Sequence, residues 1–425
     1  MTLGRGARPY RRLAPLRLDG GTTRRLGAPG RPRSYSRHGV VVRLLQRVLG
    51  RDSALRHLDW VLMLGVLALS LLGTLLVYST TEPSLRQQGL DPRTYLMKQL
   101  LNVAIGLVLM AGVSMLDYRQ IRAVSPVVLA VSCLGLLVVL TPLGSIVNGA
   151  KSWISLPGGF QIEPSEYAKI AIILVGAILL SNVPPGETRP RLRQVWLTIV
   201  AALVPIGLVA AEPDLGVDML MLALLIGAIA LSGVKLRWLA LLVGVGVLGV
   251  VSIAKLHLLK AYQVSRLTAF LNPNSDPRGT GYSAAQSLIT IGSGGVRGEG
   301  LFKGQLIAGN FVPEQHTDFI FSAAGEQLGF VGSLVILALL AVVLLRAFRI
   351  AARADDQFGM LVASGIAIWF GVQSFINIGM TVRIMPVTGL PLPFVSYGGS
   401  AMFADMIAIG ALQAVYRHRM IFGAK

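Results

Sequence analysis

Leu58-Asp-Trp-Val-Leu-Met-Leu-Gly-Val-Leu-Ala-Leu-Ser-Leu-Leu-Gly-Thr-Leu-Leu-Val-Tyr78 carries a single charged side chain, Asp59, in 21 residues. A helix needs about 20 mostly apolar residues to cross roughly 30 Å of hydrocarbon, so this stretch reads as a membrane span. Helix is the expected form, because an open sheet cannot satisfy its backbone in lipid. Nine further segments read the same way: 97–116, 124–142, 165–182, 195–211, 216–233, 236–254, 318–346, 358–382 and 397–416. The fold class is an all-α polytopic membrane protein with about ten transmembrane helices.

Composition agrees. The 425 residues are 53% hydrophobic and 14% charged, against about 25% charged in soluble domains, and mean hydropathy is +0.66. A soluble chain of this length would form about two or three domains, each with a polar surface that these residues cannot supply. A soluble enzyme is excluded, and so is a nucleic-acid partner, in spite of a net charge of +19. The single cysteine, Cys133, lies in an apolar run, so it supports neither an internal disulfide nor a Cys/His zinc site.

Lys and Arg set the orientation. Cytoplasmic N- and C-termini put 27 of the 39 basic residues inside, including 14 arginines ahead of the first span. Residues 1–57, with only Asp19 and Asp52 as acids and many Gly and Pro, read as a basic disordered tail able to touch anionic membrane lipids. A targeting peptide is the other reading. Residues 420–425 form a short C-terminal tail beyond the membrane domain, 58–419. Segment 255–317 becomes one large extracellular loop, rich in Gly, Ser, Asn and Pro, with a short helix over Tyr282–Ile291. Its Gly292-Ser-Gly294-Gly295-Val-Arg297-Gly298 run lacks the spacing of a dinucleotide fingerprint, and its glycines read as turn formers.

Ionisable groups at membrane depth are costly and therefore candidates for function. Glu163-Pro164-Ser165-Glu166-Tyr-Ala-Lys169 opens a helix with proline at its first position. Glu166 and Lys169 share a face, either as an ion pair between helices or with Lys169 turned to an anionic head group. Glu212-Pro213-Asp214-Leu-Gly216 reads equally as a turn with Asp214 capping the next helix. In Phe311-Val-Pro313-Glu314-Gln-His316-Thr317-Asp318, a polar cluster precedes an apolar helix. Asp318 is then either a helix cap or a general base. The proline-punctuated link Met385–Ser400 ends in Ser396-Tyr397-Gly398-Gly399-Ser400, which either packs as a re-entrant loop or offers backbone N–H groups to an anion.

Taken together, Asn148-Gly149-Ala-Lys-Ser-Trp153-Ile, the Glu163–Lys169 run, Glu212–Gly216, Pro313–Phe319 and Pro391–Ser400 resemble the SEDS family (shape, elongation, division, sporulation), in its order and over about 58–419. Leu58-Asp59-Trp60 and Asn377-Ile378-Gly379-Met380 look more like its elongation branch, RodA, than its division branch, FtsW. The resemblance implies a peptidoglycan glycosyltransferase of the bacterial cytoplasmic membrane that polymerises lipid II at the outer face. It also implies a class B penicillin-binding protein as partner. It makes Asp318 the catalytic residue, puts Glu166 and Lys169 in a polar cavity and Trp153 in the family's Trp motif. Glu314, His316, Arg266, Ser396, Gly398 and Gly399 join them as candidate substrate-binding residues. Two positions depart from the family pattern: Ser152, where a second basic residue is common, and Asn310, where many members have Glu. Positive charge for the leaving pyrophosphate is expected from Lys169, then Arg266, then a divalent cation such as Mg or Mn, whose ligands the sequence leaves unknown; no organic cofactor is implied. A lipid II flippase and a scaffold for the penicillin-binding partner are the rival readings.

Overall fold

A computed structural model describes residues 57–147, 150–155, 161–184, 187, 189–212, 214–255, 261–272 and 279–422. The basic tail therefore lies, apart from its last residue, outside the described residues. In chain order the elements are α1 (Trp60–Gln87), α2 (Thr94–Met115), α3 (Tyr118–Leu140), β1 (Gly144–Val147), β2 (Ala150–Ser155), β3 (Gln161–Ile162), α4 (Pro164–Ser181) and α5 (Leu192–Ala211). There follow α6 (Leu215–Leu231), α7 (Leu236–Lys255), α8 (Ala261–Leu271), α9 (Thr280–Ser293), α10 (Gln305–Ala308), α11 (Ile320–Ala352), α12 (Gln357–Thr381) and α13 (Gly399–Phe422). Eight helices are long and apolar enough to cross a membrane, and α6 and the first part of α7 are shorter apolar helices. Each of the ten expected spans coincides with one of these helices. The chain is a helical multi-pass membrane protein.

Local chemistry explains several helix starts. The Asp59 carboxylate accepts from Leu62 N at 3.1 Å and that of Asp356 from Gly359 N at 3.0 Å, which satisfies N–H groups that have no intrahelical partner. Pro164 occupies the first position of α4, where its missing N–H costs nothing. The apolar windows of α4, α12 and α13 are each 72% buried, against 22% for α3, so these three form the centre and α3 faces lipid.

The two ends of α1 are fastened differently. At its start, Asp59 pairs with Arg346 at 2.5 Å, and its backbone exchanges hydrogen bonds with the Gln413 amide at 2.9 and 3.1 Å. Near its other end, Thr80 O accepts from Gln315 Nε2 at 2.9 Å. The 313–319 turn therefore sits at the end of the bundle opposite Asp59.

Three features correct the reading from sequence. An antiparallel three-stranded sheet, β1-β2-β3, joins α3 to α4, with Ser145 opposite Trp153 and Ile154 opposite Ile162. Helix α13 continues through Phe422, so residues 420–422 belong to the helix and not to a tail. The expected span 318–346 is interrupted: Gly329 sits at φ 67°, ψ −165°, a backbone region open essentially to glycine alone. An unbroken helix of 33 residues would be about 50 Å long, far beyond the hydrocarbon. Before the break every residue from Ile320 to Gln327 is buried in protein, whereas Phe330, Val331 and Leu334 after it are exposed. Only the second part has the surface of a lipid-facing helix.

The long loop is folded against this break. The expected helix over Tyr282–Ile291 is α9, slightly longer at both ends. The Gly292–Gly298 run forms turns, with positive φ at Gly295 and Gly298. Glu299 N donates to Glu326 O at 2.9 Å, Gly300 N to Gln327 O at 3.0 Å, and Phe330 N to Gly295 O at 2.9 Å. The Glu326 carboxylate accepts from Leu306 N and Ile307 N at 2.7 and 3.0 Å, so its role is to hold α10.

Candidate functional site

Asp318 ends the turn that precedes α11. The N-cap position of α11 is Phe319, and no side chain caps it. Among the described residues the Asp318 carboxyl accepts no hydrogen bond, and Oδ2 faces Gly389, 3.7 Å from where a Cβ on that residue would stand. The capping reading of Asp318 therefore fails, and its carboxyl is uncommitted. Burial, reinforced by the nearby Glu314 and Asp214 carboxyls and opposed by Arg266, pushes its pKa up to about 7.

The main chain around this carboxyl is held tightly. Asn377 Nδ2 donates to Asp318 O at 2.8 Å and to Leu390 O at 2.7 Å. The Ser396 hydroxyl donates to Thr317 O at 2.5 Å and accepts from Leu392 N at 2.8 Å. Tyr397 N donates to His316 O at 3.0 Å. The His316 ring meets those of Tyr95 and Tyr397 at 5.2 and 5.7 Å between centroids, and burial lowers its pKa below the ordinary histidine value. Arg266 on α8 donates to Thr388 O at 3.0 Å. Asp214 caps α6 by accepting from Val217 N at 3.1 Å, in line with the turn-and-cap reading of Glu212–Gly216. The turn, the 383–396 link, the start of α6 and α8 thus converge on Asp318.

A second polar group lies deeper. Lys169 and Glu166 pair at 2.7 Å, with side chains 0% and 2% exposed. Lys169 Nζ also donates to Gln373 Oε1 at 3.1 Å and sits 4.7 Å from the centroid of the Trp369 ring. Trp369 Nε1 donates to the same Gln373 oxygen at 2.7 Å, and Gln373 Nε2 donates to Pro391 O at 2.8 Å. Gln373 and Asn377 stand one turn apart on α12 and grip consecutive carbonyls of the link, so one helix face joins the ion pair to the Asp318 turn. Asn377 is fully buried. Asn377→Ala strips two carbonyls of their donor, which costs about 1–3 kcal/mol for each group left unpaired. A lowered melting temperature of the detergent-solubilised protein checks this.

A family model described as a cell cycle protein and spanning FtsW, RodA and SpoVE matches residues 59–421. The chain belongs to this family, SEDS. Among curated relatives of this SEDS chain, the peptidoglycan glycosyltransferase MrdB of Escherichia coli K12 is 37% identical over 85% of the chain and 94% of its own length. A probable peptidoglycan glycosyltransferase FtsW of Trichlorobacter lovleyi is 35% identical over 86% of the chain and 94% of its own length. A solved chain from work on polymerization and crosslinking by a peptidoglycan synthase complex superposes with a TM-score of 0.71 at 31% identity, covering 85% of this chain and 98% of that one.

In the SEDS chain the predicted site residues separate into groups. Glu314, His316, Asp318, Ser396 and Arg266 come together at one end of the bundle, beside the half-buried Gly398 and Gly399 at the start of α13. Ser396 is buried, with its hydroxyl spent on two backbone partners, so it fastens the link instead of meeting substrate. Glu314 accepts from Thr317 Oγ1 at 3.0 Å. Glu166 and Lys169 are sealed in the ion pair, not turned into an open cavity. Trp153 lies on β2, its carbonyl accepting from Ser145 Oγ at 3.0 Å. Gln373 and Trp369 escaped the sequence reading, although with Asn377 they recur every fourth residue on one face of an apolar helix. Among the described residues no three His, Cys, Asp or Glu side chains converge as metal ligands.

Proposed function

We propose that this SEDS protein, a peptidoglycan glycosyltransferase, polymerises lipid II at the outer face of the cytoplasmic membrane, with Asp318 as general base. The observation that carries this reading is the uncommitted Asp318 carboxyl, whose pKa of about 7 suits a base working near neutrality. Asp318 takes the proton of the acceptor sugar 4-hydroxyl. That oxygen then attacks the anomeric carbon of the donor from the side opposite its pyrophosphate, with inversion, and undecaprenyl pyrophosphate leaves. A pyrophosphate leaving group does not need the general acid that a glycosidase supplies. Arg266, near enough to act electrostatically on Asp318, replaces Lys169 as the residue that meets leaving-group charge. No step is assigned to a metal ion.

Service in cell elongation is supported by the RodA-like residues Leu58-Asp59-Trp60 and Asn377–Met380. A class B penicillin-binding protein as partner is supported by the related chain studied within a peptidoglycan synthase complex. Purified protein given lipid II in detergent, where flipping has no meaning, tests the function. Glycan chains are the expected product, and parallel reactions with EDTA test for a cation. Failure to polymerise with any cation, and with the partner present, would leave lipid II transport as the better account.

The general base also predicts a pH profile. Base catalysis needs the anion, so initial rates climb with pH to a plateau, with a midpoint near 7 as Asp318 ionises. Stability runs the other way. Folded Asp318 keeps its proton to about 7, whereas an unfolded aspartate releases it at about 3.9. Between those values the folded state binds more protons, and this group's stabilising contribution declines as pH rises. Rate and melting temperature recorded across the same pH series check both signs, and a flat rate profile through neutrality would count against Asp318.

A further inference from the structure

We propose that the cleft between α8, α9 and the start of the 383–396 link binds the pyrophosphate head of a polyprenyl lipid, with Arg383 as a second guanidinium beside Arg266. The inference rests on the glycosyl-transfer reading, in which that head group is the leaving group. The cleft is an open surface depression lined by Arg266, Phe270, Ala284, Arg383, Met385 and Val387 among others. Among the described residues two arginines stand in it and no acid does. Guanidinium is the side chain best matched to phosphate, which it meets through paired N–H donors.

Arg383 is an unexpected residue at its position. It directly follows the C-cap of α12, Val382, with φ 61°, the left-handed site at helix ends that glycine normally fills. The backbone there is secured by Ile384 N donating to Gly379 O at 2.7 Å and Met385 N to the same oxygen at 3.1 Å. Among the described residues the Arg383 guanidinium has neither a hydrogen bond nor an ion pair. A strained backbone thus carries an unpaired cation into the cleft. The favourable field of a helix C-terminus accounts for a positive charge nearby, but not for a β-carbon at a left-handed position. Apart from the two arginines the lining is apolar: Ala269, Phe270, Ala284, Met385, Pro386 and Val387. Two cations inside apolar walls suit an anionic head on a hydrocarbon chain better than a free anion. Arg266 connects the cleft to the base, since it acts electrostatically on Asp318 and bonds Thr388 O.

The test compares the full-length protein, Arg383→Gly and Arg383→Lys in one detergent, titrated with undecaprenyl pyrophosphate and separately with inorganic pyrophosphate. Arg383→Gly is expected to raise the Kd for the lipid roughly 10- to 100-fold, the span for losing a hydrogen bond to a charged group. Arg383→Lys raises it less. The glycine variant should melt higher, because the left-handed backbone is relaxed, so weak binding cannot be put down to misfolding. Inorganic pyrophosphate should bind more weakly than the lipid; equal affinity would overturn the lipid assignment. Undiminished lipid affinity in Arg383→Gly would overturn the site and leave Asp318 untouched. An Asp318→Asn protein that still polymerised would overturn the general base and leave the binding comparison standing.

Discussion

Asp318→Asn is expected to slow glycan polymerisation by orders of magnitude and to leave the fold intact. General-base assistance is typically worth about 10²–10⁴-fold, and the amide keeps the shape of the carboxyl while losing its basicity. The structural cost is small for a specific reason: this side chain neither caps α11 nor accepts a hydrogen bond among the described residues. What holds the turn is main chain, through Asn377 to Asp318 O and Ser396 to Thr317 O, and the substitution leaves both contacts in place. The variant should match the parent in melting temperature and in lipid II affinity while its initial rate collapses. A well-folded Asp318→Asn protein with near-parental rates would place the chemistry elsewhere.

The second large effect is on stability. Lys169→Met is expected to cost about 3–5 kcal/mol, the range for removing one partner of a buried ion pair. Glu166 would then be buried beside uncompensated carboxyls, since Lys169 also acts on Glu163, Asp214 and Asp405. Glu166→Gln should be milder, because Lys169 keeps those three acids, the Gln373 oxygen and the Trp369 ring. Folded yield and melting temperature in detergent measure the asymmetry. Activity alone does not, since both variants disturb the link to Asp318 through Gln373. A Lys169→Met protein as stable as the parent would show that this lysine is not the counter-ion of the acidic cluster.

The ten spans were legible because lipid demands continuous apolar runs, and such runs leave little choice of secondary structure. The break at Gly329 was not. Glycines are common in membrane helices, and 325–332 holds three of them, none marked by sequence as the one with positive φ. The β-meander had an available signal in Asn148-Gly149, a favoured hairpin pair, which the apolar context masked. At the site, Glu314, His316 and Asp318 stood out as a polar cluster near a membrane boundary, while Arg266 in the long loop was only a secondary candidate for the leaving-group charge. Sequence alone left Asp318 open between cap and base, because the answer depends on whether the helix begins at its own position or one residue later. For Lys169 it weighed an ion pair against a head-group contact, and burial decides for the pair. Gln373 was silent, and Asn377 entered only as part of a branch motif, because a neutral amide on an apolar helix looks like packing until its backbone partners are known.

The Gly329 interruption also bears on mechanical decoupling. An intact rod would relay every tilt or axial push from its far tip straight to Asp318, so bilayer thinning or a tug near Arg346 would jostle the nucleophile's proton acceptor. Severed at the glycine, the short piece Ile320–Leu328 is moored sideways to Glu299 and Gly300, while the start of the lipid-facing part is moored separately to Gly295 and Val296, so a load on the far tip is shed into the loop before it reaches the carboxylate.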